Sequence, residues 1–295
     1  MRLSGTHITL PLHTACVSRG EPRAAQMSDS DDEEPAGSAI HAAVRNLDLD
    51  ALRRALAAGA SIEERMAPLP NMGTWTPLYR ASANRFSDSD DEDEPPPNYY
   101  NYDHPIDWNK RVADRVAMVR ALLENGASVH ARCIEDDDTP LFAAVQSQLF
   151  PADDIVEMLI AAGADVNAVD GNDFSVLYTA AQNGRAKTVS QLIAAGADVH
   201  KICTGRFTPL AGAGLVRKVR NYAPLLRAGA TILLEDLSFR SDAYLNKIAA
   251  TPGGYPAYER AHRTRLAAIF IPKFPRLPVE VIHHIVSIWA DCGGH

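Results

Sequence analysis

The 295-residue chain carries a net charge of −8 and a sequence pI near 5.7, a balance that argues against a nucleic-acid footprint over the chain as a whole. Its 46% hydrophobic fraction is enough for a continuous core, yet no apolar run reaches the length of a membrane span. The four cysteines, Cys16, Cys133, Cys203 and Cys292, are scattered without C-x-x-C or zinc spacing. No disulfide framework is expected, and a reducing compartment, cytoplasm or nucleus, is favoured.

In chain order, residues 1–26 hold Arg2, Arg19 and Arg23 against the single acid Glu21 and read as a leader. Met27 then opens the acid run Ser28–Glu34, so residues 1–36 are expected to be an acidic, unfolded N-terminal segment. A repeat begins at about residue 37. Gly-Ala recurs at Gly59, Gly126, Gly163, Gly196 and Gly229, at intervals of 67, 37, 33 and 33. Ahead of each pair stands an apolar triplet at i, i+3 and i+4: Leu52/Ala55/Leu56, Val119/Leu122/Leu123, Val156/Leu159/Ile160, Val189/Leu192/Ile193 and Tyr222/Leu225/Leu226. That spacing shares one face of a helix, and glycine after the last turn supplies the left-handed stop.

Further upstream in each unit lies a second marker. Thr76-Pro77-Leu78, Thr139-Pro140-Leu141 and Thr208-Pro209-Leu210 are near-copies, Ser175-Val176-Leu177 is a variant, and Ile40-His41-Ala42-Ala43 is a worn fragment. Threonine caps a helix start, and proline is tolerated at the first helical position. In the second unit about 29 residues, 84–112, are inserted between the two helices. This insertion holds Ser87–Glu94, the run Pro95-Pro96-Pro97 and three tyrosines, and reads as a solvated loop. It is either a tolerated surface insertion or a site of acid-directed phosphorylation at Ser87 and Ser89.

The 33-residue period, T-P-L-x-x-A-A and V-x-x-L-L-x-x-G-A together resemble the ankyrin repeat, over residues 37–232 as five units. The resemblance implies an all-α helical solenoid whose concave face holds a protein partner. The glycines of the fifth unit, Gly212 and Gly214, are expected to make it the softest. Leu159…Asp165-Val166-Asn167-Ala168 also resembles the asparaginyl-hydroxylation site of ankyrin loops, though the same residues serve ordinary loop hydrogen bonding.

Residues 233–271 are expected to form divergent capping helices, since a solenoid's last repeat would otherwise leave its core face wet. Residues 272–295 hold Leu277-Pro278-Val279-Glu280-Val281, and Val281, Ile282, Ile285, Ile288 and Trp289 share an amphipathic face. That ending resembles the opening of an F-box, which would make Leu277, Pro278, Val281, Ile282, Ile285 and Trp289 a docking surface for a ubiquitin-ligase adaptor. The alternative is a helix folded back onto the last repeats, with Trp289 as its plug.

No nucleotide-binding, nucleophile-elbow or zinc-protease motif occurs, so no catalytic, cofactor or metal residue is expected. A partner would meet the residues around each Thr/Ser cap: Trp75, Asp138, Phe174 and Phe207, flanked by Arg80, Thr179, Gln182, Asn183 and Arg206. The aromatics are equally suited to packing on neighbouring loops. Acids at 135–138 suggest a partner of basic character. The sequence thus reads as a monomeric protein-interaction scaffold, with ligase adaptor as the alternative.

Overall fold

Apolar triplets that each end in a glycine at fixed spacing should give short helices with a common stop, and the computed structural model has that form. It describes residues 36–65, 75–83, 108–134, 136–146, 153–183, 185–232 and 242–291. The leader reading of 1–26, both acid runs and Glu135 lie outside them.

The helices come in pairs. They are α1 (Ala36–Asn46) with α2 (Leu49–Ala57), α3 (Pro77–Ser82) with α4 (Trp108–Glu124), α5 (Pro140–Gln146) with α6 (Asp153–Ala161), α7 (Val176–Asn183) with α8 (Ala186–Ala194), and α9 (Pro209–Leu215) with α10 (Tyr222–Arg227). First helices pack in one row, α1 through α9, and second helices in another, α2 through α10. The described residues are all-α apart from isolated bridges at Val169–Ser175 and Cys203–Phe207. This is the solenoid that the repeat implied.

Each second helix stops the same way. Gly59, Gly126, Gly163, Gly196 and Gly229 take φ between 87° and 93°, where a Cβ would be strained. The alanine after each donates back across the turn, as in Ala127 N to Leu122 O at 3.0 Å and Ala197 N to Leu192 O at 3.0 Å. Leu52, which opens its triplet, and Leu122, Leu159, Leu192 and Leu225, the central members of theirs, are fully buried in one continuous core. Burial of each contributes about 1.5–3 kcal/mol relative to exposure.

Three features depart from the regular unit. Helix α4 has 17 residues where α6 and α8 have 9. It begins at Trp108, inside the stretch 84–112 read as an insertion, and its Arg115 donates to Ala83 O at the end of α3 (3.0 Å). In α9, Gly212 is not simply a soft spot. A Cβ there would stand 2.8 Å from the Tyr178 ring, so glycine is what lets α9 lie against α7.

The third departure is the C-terminal end. Helices α11 (Ala243–Ala249) and α12 (Gly254–Phe270) extend the stack, with Leu245, Ile248 and Tyr255 joining the same core. Tyr222 stacks on Tyr244 at 6.3 Å and its hydroxyl donates to Asp242 at 2.9 Å. Helix α13 (Val279–Asp291) then packs on α12. Among the described residues its buried stripe is Ile282 and Val286, and its main support is α12. The fold-back onto the last repeats turns on Trp289 as its plug, and that side chain lies outside the described residues.

Candidate partner-binding face

The short first helices and the loops before them form one face of the stack. Every first helix from α3 onward is capped alike: the hydroxyls of Thr76, Thr139, Ser175 and Thr208 accept from the backbone of Tyr79, Phe142, Tyr178 and Ala211 at 3.1–3.4 Å. Ahead of each cap from α5 onward the chain makes a tight hairpin. Cys133 N donates to Asp138 O (2.9 Å), Asp170 N to Phe174 O (3.0 Å) and Cys203 N to Phe207 O (2.9 Å). The Asp170 carboxylate holds the central hairpin by accepting from the backbone of Asn172 and Phe174.

Neighbouring loops are tied to each other. Glu63 accepts from Ser128 N, and Gly171 N donates to Asp136 O at 2.7 Å. Arg132 donates to the carboxylate and carbonyl of Asp137 and to Val169 O of the next unit. Asn167 donates to Gly196 O (3.3 Å) and accepts from Asp198 N (2.8 Å), so its amide serves as an inter-repeat loop clamp. His130 and His200 sit exposed, their backbone amides held by Ser128 and Asp198. The tips are therefore a braced row, not independent loops.

The residues expected on this face divide by burial. Trp75 is only 8% exposed and packs with Tyr79, Ala83, Cys133 and Ala143; Arg80 lies 5.9 Å over its ring. Asp138 is 0% exposed and accepts from Gln146 at 3.3 Å, so it is no part of an acidic tip. Thr179 is also buried in its helix. Trp75 turns inward onto Cys133 of the next hairpin, and Asp138 onto Gln146 of the helix it precedes. In the hairpins themselves Asp136, Asp137 and Asp173 reach solvent.

Arg80, Phe174, Gln182, Asn183 and Phe207 keep part of their surface. Phe174 stacks on Tyr178 with centroids 4.8 Å apart, and Tyr178 meets Phe207 at 6.4 Å. Gln182 donates to the Tyr178 hydroxyl at 2.8 Å. Arg206 ends the 3-10 turn Thr204–Arg206, and its side chain lies outside the described residues. Sequence reasoning missed Tyr178 and the two glycines against the ladder, Gly205 and Gly212. Gly212 faces the Tyr178 ring one unit away and Gly205 faces Phe207 of its own hairpin, and a glycine at such a place marks close approach.

At the far end, the residues proposed for ligase docking also divide. Leu277, Val281 and Ile285 are 40%, 41% and 48% exposed and Pro278 is exposed, whereas Ile282 is buried on α12. Glu259 joins this end to the fifth pair. It accepts from Arg227 of α10 and from Arg263, which donates to Ser287 of α13 at 3.0 Å. Partial burial alone would push the Glu259 carboxyl up, but the two guanidiniums outweigh it and hold it below the usual range.

Two buried groups lie elsewhere in the stack. Burial pushes the Cys203 thiol up, so it is not a reactive thiolate. His41 in α1 is buried, accepted by Glu64 O at 3.0 Å, and held below its ordinary pKa chiefly by that burial. No group of His, Cys, Asp and Glu suited to a metal ion occurs among the described residues. No helix among them is long and apolar enough to cross a membrane.

Residues 112–203 match the family model of ankyrin repeats, in three copies. No curated protein matches the chain. The match spans α4 to the start of the fifth unit, and the helix pairs on either side share its glycine stop and its row of packed helices. The match ends at residue 203 and gives the ligase-docking reading of residues 273–291 no support.

Proposed function

We propose that this chain, with ankyrin repeats over residues 112–203, is a non-catalytic scaffold that captures a protein partner on the face made by its short helices and braced loop tips. One observation supports this reading above others. Half-exposed side chains of mixed aromatic and polar character, Arg80, Phe174, Gln182, Asn183 and Phe207, fall along one face whose backbone is held rigid from unit to unit. A pre-organised surface of that composition loses little entropy on binding. Arg206 is placed with them by register.

The test is site-directed photo-crosslinking in cells. Crosslinkers at Arg80 and Gln182 should capture the same partner, and one at Ser190 on the exposed side of α8 should not. Capture from Ser190 alone would overturn the reading. The chain is read as a monomer of the cytoplasm or nucleus, which light scattering and imaging check; a dimer would contradict the first.

A second reading is kept for the tail. The exposure of Leu277, Val281 and Ile285 favours a docking role for α13, and ligase adaptor is the form of it that the F-box resemblance suggests. Changing Leu277 and Pro278 to alanine should then remove ligase components from pull-downs while the repeats stay folded. Unchanged recovery would sink it.

A further inference from the structure

We propose that the junction of the fourth and fifth helix pairs is a subsite for one cationic side chain, arginine or lysine, of an extended partner segment. This rests on the reading of the short-helix face as the binding face.

The subsite is built by two glycines. A Cβ on Gly205, which holds φ +77°, would stand 2.7 Å from the Phe207 ring, and one on Gly212 would stand 2.8 Å from the Tyr178 ring. Their missing side chains let both rings settle against backbone. The result is a run of three aromatics, Phe174, Tyr178 and Phe207, spanning two units with its outer members half-exposed. Gln182 fixes the Tyr178 hydroxyl at one side. Ring faces carry partial negative charge, and a cation within about 6 Å of a centroid is attracted to them.

The surrounding charge selects the same kind of ligand. Asp173 precedes Phe174 and is exposed, in a left-handed conformation at φ 62°. Its carboxylate is near enough to the next hairpin to act on the Cys203 thiol. The exposed Asp136 belongs to the tip that accepts from Gly171 N, so a second acid borders the same hairpin. An aromatic surface edged by carboxylates favours a guanidinium or ammonium and repels a carboxylate. Lys201, just ahead of the fifth hairpin, opposes this, and removing its charge should strengthen binding.

The test is a titration of the intact chain, labelled at Phe and Tyr for ring NMR signals. The probes are a capped pentapeptide with one arginine among four alanines and the same peptide with glutamate in its place. The arginine peptide should move the Phe174, Tyr178 and Phe207 signals and bind at least about five-fold tighter than the glutamate peptide. Asp173→Asn should cut that preference several-fold with an unchanged melting temperature, because asparagine tolerates the left-handed φ. Phe174→Ala with Phe207→Ala should abolish the response, and Lys201→Ala should raise it. Equal binding of both peptides, unmoved ring signals or an indifferent Asp173→Asn variant would overturn the proposal. Should the rings stay unmoved while Arg80 and Gln182 still crosslink to a partner, only the cation chemistry fails. Loss of those crosslinks as well removes the binding face itself.

Discussion

At the scale of single residues, two positions have their sign decided by competing terms. Gly212→Ala would gain roughly 1 kcal/mol of helix propensity. The new Cβ would meet the Tyr178 ring at 2.8 Å and the Gln182 side chain at 3.2 Å. Overpacking of a buried contact costs about 1–3 kcal/mol, so the net effect is a loss, read as a lower urea midpoint. His41 is the second case. Its folded pKa lies below the unfolded value, so the unfolded chain binds more protons in the acid range. The stability that neutral His41 contributes is complete above about pH 6.5 and falls as pH drops toward the folded pKa. Urea midpoints at pH 7.5 and 5.5 should differ for the native protein, and the difference should shrink in His41→Asn. Trp75→Ala belongs with these. With its ring buried against Tyr79 and Cys133, the change should lower stability by about 3–5 kcal/mol, making it a folding variant and not a surface probe.

At the scale of elements, the repeat was the most legible feature. Glycine stops, apolar triplets and Thr-Pro starts all act within one helix and its cap, so a linear reading recovers them. The row of four hydroxyl caps and the glycine φ values follow directly from those markers. What stayed hidden depends on which neighbour a side chain meets. Asp138 looks like part of an acidic tip in the sequence, yet it is buried against Gln146. Ile282 and Ile285 both looked like one face of the last helix, but α12 covers only the first. The joint between that terminal hairpin and the repeats is Glu259 with Arg227, Arg263 and Ser287. Glu259→Gln leaves two guanidiniums facing each other and should cost about 1–2 kcal/mol. Hydrogen exchange should speed up across α12 and α13 while α5 through α8 keep their protection.

At the scale of the whole molecule, stacking gives each unit two neighbours and one continuous core, and it leaves a single face with aligned loop tips. The set proposed to face a partner was half legible. Phe174, Gln182, Asn183 and Phe207 follow from register, whereas the floor beneath them, Tyr178 on Gly212, exists only once two units are stacked. The function proposed for this face therefore turns on where the partner lies. Hydrogen exchange of the chain with and without its captured partner answers this most directly. Slowed exchange over the hairpins at 133–139, 170–175 and 203–208 and in α7, with α6 and α8 unchanged, is the result expected. Protection confined to α6 and α8, or to α12 and α13, would contradict it.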